Sequence, residues 1–327
     1  MEYSCGSYAM SIYELWRARQ EGRFGVRHWL LAWAISTRAF ALPWVFLYTL
    51  FGALLAGVRD SVAALGACLT TVFALLASHF RNNYRDVELG IDKFVDDPEE
   101  ARRIISSLKP YTAAAWLVPL RITSIRFQKA NELLFLGLSL TTYIVLVGPL
   151  TRPLTLPFFA LGLFVALGYT DIFKPRRLGE AACFLGHGFS TTTLGYLTQS
   201  SDVLSAVLAG VVPGMISGLV YSIDQYLDIR TDFVQRVRAI YEAWFNSRLP
   251  LGLYVLAIVM LYYHMLTAWV AIGIYPRGVL MTYVLLPFYL FEVAEIEYSR
   301  NAALRKVVAL TVILIPWLMA LGTLLPP

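Results

Sequence analysis

Apolar residues run in long unbroken stretches along this chain, and polar residues are crowded into the short connections between them. Runs near 29–57, 61–80, 131–149, 154–170, 179–198, 203–223, 250–272, 278–296 and 307–325 each approach the roughly 20 residues that a helix needs to cross about 30 Å of hydrocarbon. The pattern predicts an all-α integral membrane protein of nine transmembrane helices. Residues 1–28 read differently: Ile12, Tyr13 and Trp16 alternate with charged groups, which predicts an amphipathic lead-in lying on the membrane surface. The expected organisation is that lead-in followed by one membrane domain over 29–327, with no cleaved signal.

Composition agrees with this pattern and narrows the alternatives. Of 327 residues, 58% are apolar and 15% charged, and the mean hydropathy is +0.61, too hydrophobic for a water-soluble globule. Cys5, Cys68 and Cys183 are far apart and odd in number, so neither a disulfide framework nor a zinc site is indicated. The net charge of +5 does not point to nucleic acid, because the basic residues fall between apolar runs and form no continuous patch.

The charges instead predict orientation. Twenty-three of the 27 Lys and Arg residues lie on one side of the nine-span arrangement. Arg59, Arg152 and Arg277 lie on the other, and Arg38 sits inside the first span. By the positive-inside rule the N-terminus is expected in the cytoplasm of a cell-membrane protein. Of the 22 carboxylates only Asp60 and Asp202 belong to the outer connections. The chemistry is therefore expected on the cytoplasmic face.

Two acid-rich segments follow apolar spans on that face. Asp224, Asp228 and Asp232 recur at every fourth residue, which stacks their carboxylates along one helix face. Asn82 and Asp86 share a face by the same spacing, and Gly90 is expected to break the helix and let Asp92 swing back toward them. Carboxylates meeting in this way suit Mg²⁺, a hard cation that takes a few carboxylate ligands and completes its shell with phosphate oxygens. Lys174, Arg176 and Arg177, in a short Pro-containing turn on the same face, could share the charge of a diphosphate; they also fit a topology signal alone. Arg38, within an apolar span, needs a polar or anionic partner, either substrate or structural. The four His residues are scattered and suggest no metal site or triad; His79 alone lies near the proposed chemistry.

The string from Asn82 to Asp92, N-N-Y-R-D-V-E-L-G-I-D, resembles the N-D-Y-x-D-x-x-x-G-x-D signature of the UbiA-type intramembrane prenyltransferase superfamily. The resemblance is to the branch that prenylates 1,4-dihydroxy-2-naphthoate in menaquinone synthesis. Further similar segments follow in order: Thr37-Arg38 with Leu42-Pro43, then Tyr169-Thr170 with Pro175 and Leu178-Gly179-Glu180, then Asp224 to Asp232 in place of a second acidic motif. Asn83 stands where the signature has Asp, and Asp224-Gln225 where the second motif has Asn-Asn.

The resemblance implies nine helices around a central cavity with polar caps on the cytoplasmic side. It also implies a polyprenyl diphosphate donor, an aromatic acceptor and two Mg²⁺ ions held by Asp86, Asp92, Asp228 and Asp232. Asn82, Asn83, Asp224, Lys174, Arg176, Arg177, Arg38 and Tyr169 would contact substrates. Non-aromatic acceptors such as a glyceryl phosphate, or a porphyrin, are the alternatives within that chemistry. From another class, a transporter or lipid-binding membrane protein also fits the hydropathy. No obligatory protein partner is inferred.

Overall fold

The computed structural model describes residues 7–108, 113–229, 251–298 and 314–325. All regular structure among the described residues is helical. Six helices among the described residues are long and apolar enough to cross a membrane: Val26–Leu55, Ser61–Glu88, Ile125–Val147, Pro153–Phe173, Val203–Ser222 and Gly252–Ala271. They establish a membrane protein. Shorter apolar helical segments, Arg277–Phe291 and Leu314–Leu324, lie where the eighth and ninth spans are expected.

In chain order the helices are α1 (Ser7–Gln20), α2 (Val26–Ser36), α3 (Leu42–Leu55), α4 (Ser61–Glu88), α5 (Pro98–Ser107) and α6 (Ile125–Thr142). They continue with α7 (Leu156–Gly168), α8 (Gly179–Cys183), α9 (Ser190–Leu197), α10 (Val203–Ile229), α11 (Leu251–Ala271) and α12 (Leu286–Tyr298). A π-helical segment, Phe184–Phe189, joins α8 to α9, and another, Tyr169–Phe173, extends α7.

Three differences from the sequence reading have local causes. The first span does not run straight through: between α2 and α3, Arg38 adopts a left-handed conformation (φ 47°) and a single 3₁₀ turn follows before Pro43 restarts the helix. α4 runs past the apolar span that ends at 80 and stops at Glu88, just before the helix break expected at Gly90, and its charged last turns have ionic partners on other helices. α6 begins at Ile125 rather than near 131, where the Ser124 hydroxyl accepts from the Phe127 N–H at 3.1 Å.

The lead-in is helical and builds a cap of its own. Ile12, Leu15 and Trp16 of α1 are buried against Ala101 and Ile105 of α5 and Leu117, Leu120 and Ile122 of the following loop. α5 is started by Asp97, whose carboxylate accepts from the N–H groups of Glu99 and Glu100, with Pro98 in the first turn.

Inside the bundle, α10 contains Pro213, which cannot donate to the carbonyl of Ala209. The Tyr275 hydroxyl donates to that carbonyl instead, at 2.7 Å, from the connection after α11. At the end of the bundle remote from the acid-rich motif, one polar knot ties three connections. Gln199 Oε1 accepts from the N–H groups of Arg59 and Asp60, both at 2.8 Å. Arg152 bonds the Asp60 carboxylate at 2.5 Å and the Thr198 carbonyl at 3.0 Å.

Candidate functional site

The opposite end gathers the residues singled out in the sequence. α4 delivers Asn82, Asn83 and Asp86 on its last turns and stops at Glu88. Gly90 then takes φ +71°, where nothing lies within 4 Å of an added Cβ, so the backbone turn itself accounts for the glycine. The turn sends the chain back on itself: the N–H groups of Ile91 and Asp92 both donate to the Asp86 carbonyl, at 2.9 and 3.1 Å. Asp86 and Asp92 are both buried. The expected return of Asp92 toward Asp86 is what the backbone makes.

Lys174 reaches the same place from α7. The π-helical segment before it closes with the Lys174 N–H on the Tyr169 carbonyl at 2.8 Å. Its buried ammonium lies 2.6 Å from Oδ2 of Asp86. The other carboxylate oxygen, Oδ1, is buried and makes no hydrogen bond among the described residues. Asp171, one turn earlier, ties the segment to α4: it accepts from Arg81 at 2.5 Å and from Arg85 at 2.5 Å. Arg81 also bonds Glu132 of α6 at 2.8 Å, and Glu132 accepts from the Tyr84 hydroxyl at 2.5 Å. Arg81 and Arg85 are therefore committed to holding α4, α6 and α7 together.

The break in the first span has its counterpart here. The left-handed turn at Arg38 coincides with a guanidinium that donates to Oδ1 of Asn83 at 3.0 Å. Asn83 in turn donates to the Ser36 carbonyl at 3.2 Å, and the freed Thr37 carbonyl pairs with Nδ1 of His79 at 2.8 Å. Irregular backbone at membrane depth survives where other groups satisfy it in this way. The amide of Asn83, one residue of the predicted substrate-binding set, is thus spent within the protein.

Asn82 accepts from the Thr170 hydroxyl at 3.1 Å. Tyr169 donates to the Tyr221 hydroxyl of α10 at 2.8 Å. The ring of Tyr221 would stand 2.2 Å from a Cβ at position 179, which explains the glycine between Leu178 and Glu180. Arg176 and Arg177 lie on an exposed turn, Arg176 bonded to the Ile172 carbonyl, and stand apart from the buried Lys174. Asp224 and Asp228 fall on the last turns of α10, where only the backbone is described, and Asp232 lies outside the described residues.

Two further features had no sequence signal. His79, His187, Tyr169 and Tyr221 are partly buried, whereas Tyr48 and Tyr262 are fully buried. The imidazole of His187 packs 5.6 Å from the indole of Trp44, which pairs with the Tyr48 hydroxyl, and Nδ1 of His187 is buried without a hydrogen bond among the described residues.

Among the described residues no three His, Cys, Asp or Glu side chains come together as a metal-binding group. Asp86 nevertheless offers what a hard cation takes: a buried carboxylate oxygen without a hydrogen bond, next to the returning Asp92. No family model, no curated protein and no solved structure matches the chain.

Proposed function

We propose that the chain is a Mg²⁺-dependent intramembrane transferase that moves a polyprenyl group from its diphosphate to an aromatic, quinone-forming acceptor such as 1,4-dihydroxy-2-naphthoate. The observation that carries this reading is the buried pair of Asp86 and Lys174, with one carboxylate oxygen left without a hydrogen bond and Asp92 folded back beside it. A carboxylate and an ammonium held side by side at a helix end match the two halves of a metal diphosphate, one for the cation and one for the phosphate oxygens.

In this reading Asp86 and Asp92 hold one Mg²⁺, and Asp228 and Asp232 a second. Bound there, the metal would supply the positive charge that makes diphosphate a competent leaving group. Lys174 turns from Asp86 to the diphosphate oxygens, and Arg38 stands ready nearby through Asn83. Asn82, Asp224, Arg176 and Arg177 would contact the substrates. Departure of diphosphate takes the electron pair of the C–O bond and leaves an allylic cation; the electron-rich ring attacks it and then loses the proton of the attacked carbon to the released diphosphate or to water at the polar end. The bundle keeps water from that cation. The lipid bilayer is the natural source of an isoprenoid tail, which an apolar cavity behind the acids would hold.

The same reading includes nine spans, with the segments at 179–197, 277–291 and 314–324 completing the six long helices, and it places the acid-rich end in the cytoplasm. The test is diphosphate release. Membranes holding the chain, given labelled polyprenyl diphosphate and candidate acceptors, should release diphosphate only with Mg²⁺, and Asp86→Ala or Asp228→Ala should abolish the release. A carrier that merely couples a cation to Asp86 would bind metal and release none, with any acceptor.

A further inference from the structure

The segment that carries Lys174 is held on α4 by a residue that the sequence did not single out. We propose that Asp171 is a positioning residue: by bridging Arg81 and Arg85 it fixes the register in which Lys174 faces Asp86. Three cross-contacts run in step along the two elements. The Thr170 hydroxyl donates to Asn82 at 3.1 Å, Asp171 accepts from Arg81 through Oδ2 and from Arg85 through Oδ1, both at 2.5 Å, and the Lys174 ammonium lies 2.6 Å from Asp86. On α4 the two arginines are four residues apart and immediately precede Asn82 and Asp86, so one carboxylate between them spans the turn that presents both residues.

The winding of the segment is what makes such a bridge necessary. Its closing bond joins the Lys174 N–H to the Tyr169 carbonyl, five residues back, a π-helical turn of the kind that proteins use rarely and often at functional sites. Relaxation to ordinary α-helical winding would shift the register by one residue, and one residue of an α-helix turns a side chain by about 100° around the axis. Lys174 would then leave Asp86. The Thr170 bond is between neutral groups, whereas both bonds to Asp171 are charge-assisted and therefore stronger. Asp171 is accordingly the principal restraint.

The rest of the bundle does not depend on this carboxylate in the same way. α4 and α6 keep ties of their own: Arg81 to Glu132 at 2.8 Å, Tyr84 to Glu132 at 2.5 Å and Lys129 to Glu88 at 2.5 Å. Arg85 also bonds Glu88, at 2.8 Å. Loss of Asp171 thus leaves each arginine a carboxylate partner and leaves the α4–α6 contact closed, while the π-helical segment loses both ties that Asp171 makes. In the proposed reaction Lys174 meets the diphosphate, so a role for Asp171 in transfer rests on that reading; its hold on Lys174 stands without it.

The test is acetylation of Lys174 by N-hydroxysuccinimide acetate in the full chain in lipid nanodiscs, without Mg²⁺ or any diphosphate, read by mass spectrometry against the exposed Lys93. Asp171→Asn should raise the rate at Lys174 at least fivefold, and Asp171→Glu should keep it within about twofold of the unaltered chain. Glu132→Gln, which loosens α4 from α6 but spares Asp171, should leave Lys174 protected. Arg85→Met cuts the same bridge from the α4 side, should raise the rate about twofold, and serves where Asp171→Asn does not fold. An unchanged rate in either folded variant, or equal exposure of Lys174 in Glu132→Gln, overturns the proposal. In diphosphate release, Asp171→Asn should raise the KM for the donor at least fivefold and leave that for the acceptor within about twofold; a fall in kcat alone would deny Asp171 its part in transfer. A chain that releases no diphosphate, yet loses the protection of Lys174 with Asp171, would keep the positioning role and remove the transferase.

Discussion

Replacing Lys174 by Met removes the one ammonium that faces Asp86 among the described residues and leaves its carboxylate buried. The two charged atoms are 2.6 Å apart, and the side chains are only 7% and 3% exposed. At an effective dielectric constant of about 20 their attraction is about 6 kcal/mol before desolvation is subtracted. Removing one partner of such a pair costs about 3–5 kcal/mol, because the other charge stays buried without compensation. Replacing both removes that burden. The double variant Asp86→Asn with Lys174→Met should therefore be more stable than Lys174→Met alone. The assay is reversible unfolding in mixed detergent micelles, followed by tryptophan fluorescence, for the unaltered chain, both single variants and the double. A coupling of about 2 kcal/mol or more is expected. Additivity within about 0.5 kcal/mol would refute the reasoning, since groups that do not interact add.

Three other perturbations probe separate links. Gly90→Ala forces an L-residue into φ +71° where no neighbour obstructs it, so a loss of about 1–2 kcal/mol in the same unfolding assay is expected; a gain in stability would contradict the turn. Tyr275→Phe leaves the Ala209 carbonyl, already deprived of its helical donor by Pro213, without the hydroxyl that serves it, and should cost about 1–3 kcal/mol; no change would mean that water reaches α10 there. The Asp60 carboxyl is held below its ordinary 3.8, chiefly by the Ala63 N–H that it caps and further by Arg152. Its contribution is present above 3.8 and lost as pH falls through the lowered value, so the advantage of the unaltered chain over Asp60→Asn should vanish in strong acid and stay under about 1 kcal/mol at neutral pH, the carboxylate being half-exposed.

The parts of this architecture that depend on local chemistry were legible in the sequence. The apolar runs announced a membrane bundle, and the step from Asp86 through Gly90 to Asp92 announced the returning turn, because only glycine enters that backbone region freely. Where tertiary partners decide, sequence reasoning fell short. Arg81 and Arg85 read only as topology charges, whereas Asp171 and Glu132, some 50 to 90 residues away, neutralise them. Arg38 was noticed as an anomaly within a span, but the helix break that carries it was not, although Pro43 was its local sign. The neighbourhood of His187 was invisible, since nothing in a string of residues tells a satisfied imidazole from an orphaned one. Arg176 and Arg177, grouped with Lys174 by proximity in sequence, part from it because the turn after the π-helical segment buries one and exposes the others.

The central claim is prenyl transfer by the acid-rich end of the bundle, and product mass tests it most directly. The full chain in nanodiscs, given geranylgeranyl diphosphate, 1,4-dihydroxy-2-naphthoate or another oxygenated aromatic, and Mg²⁺, should yield a prenylated ring by mass spectrometry, absent when Mg²⁺ is chelated or Asp86 is replaced by Ala. A complete reaction mixture that yields no prenylated product from any aromatic acceptor, while the donor stays intact, would contradict it.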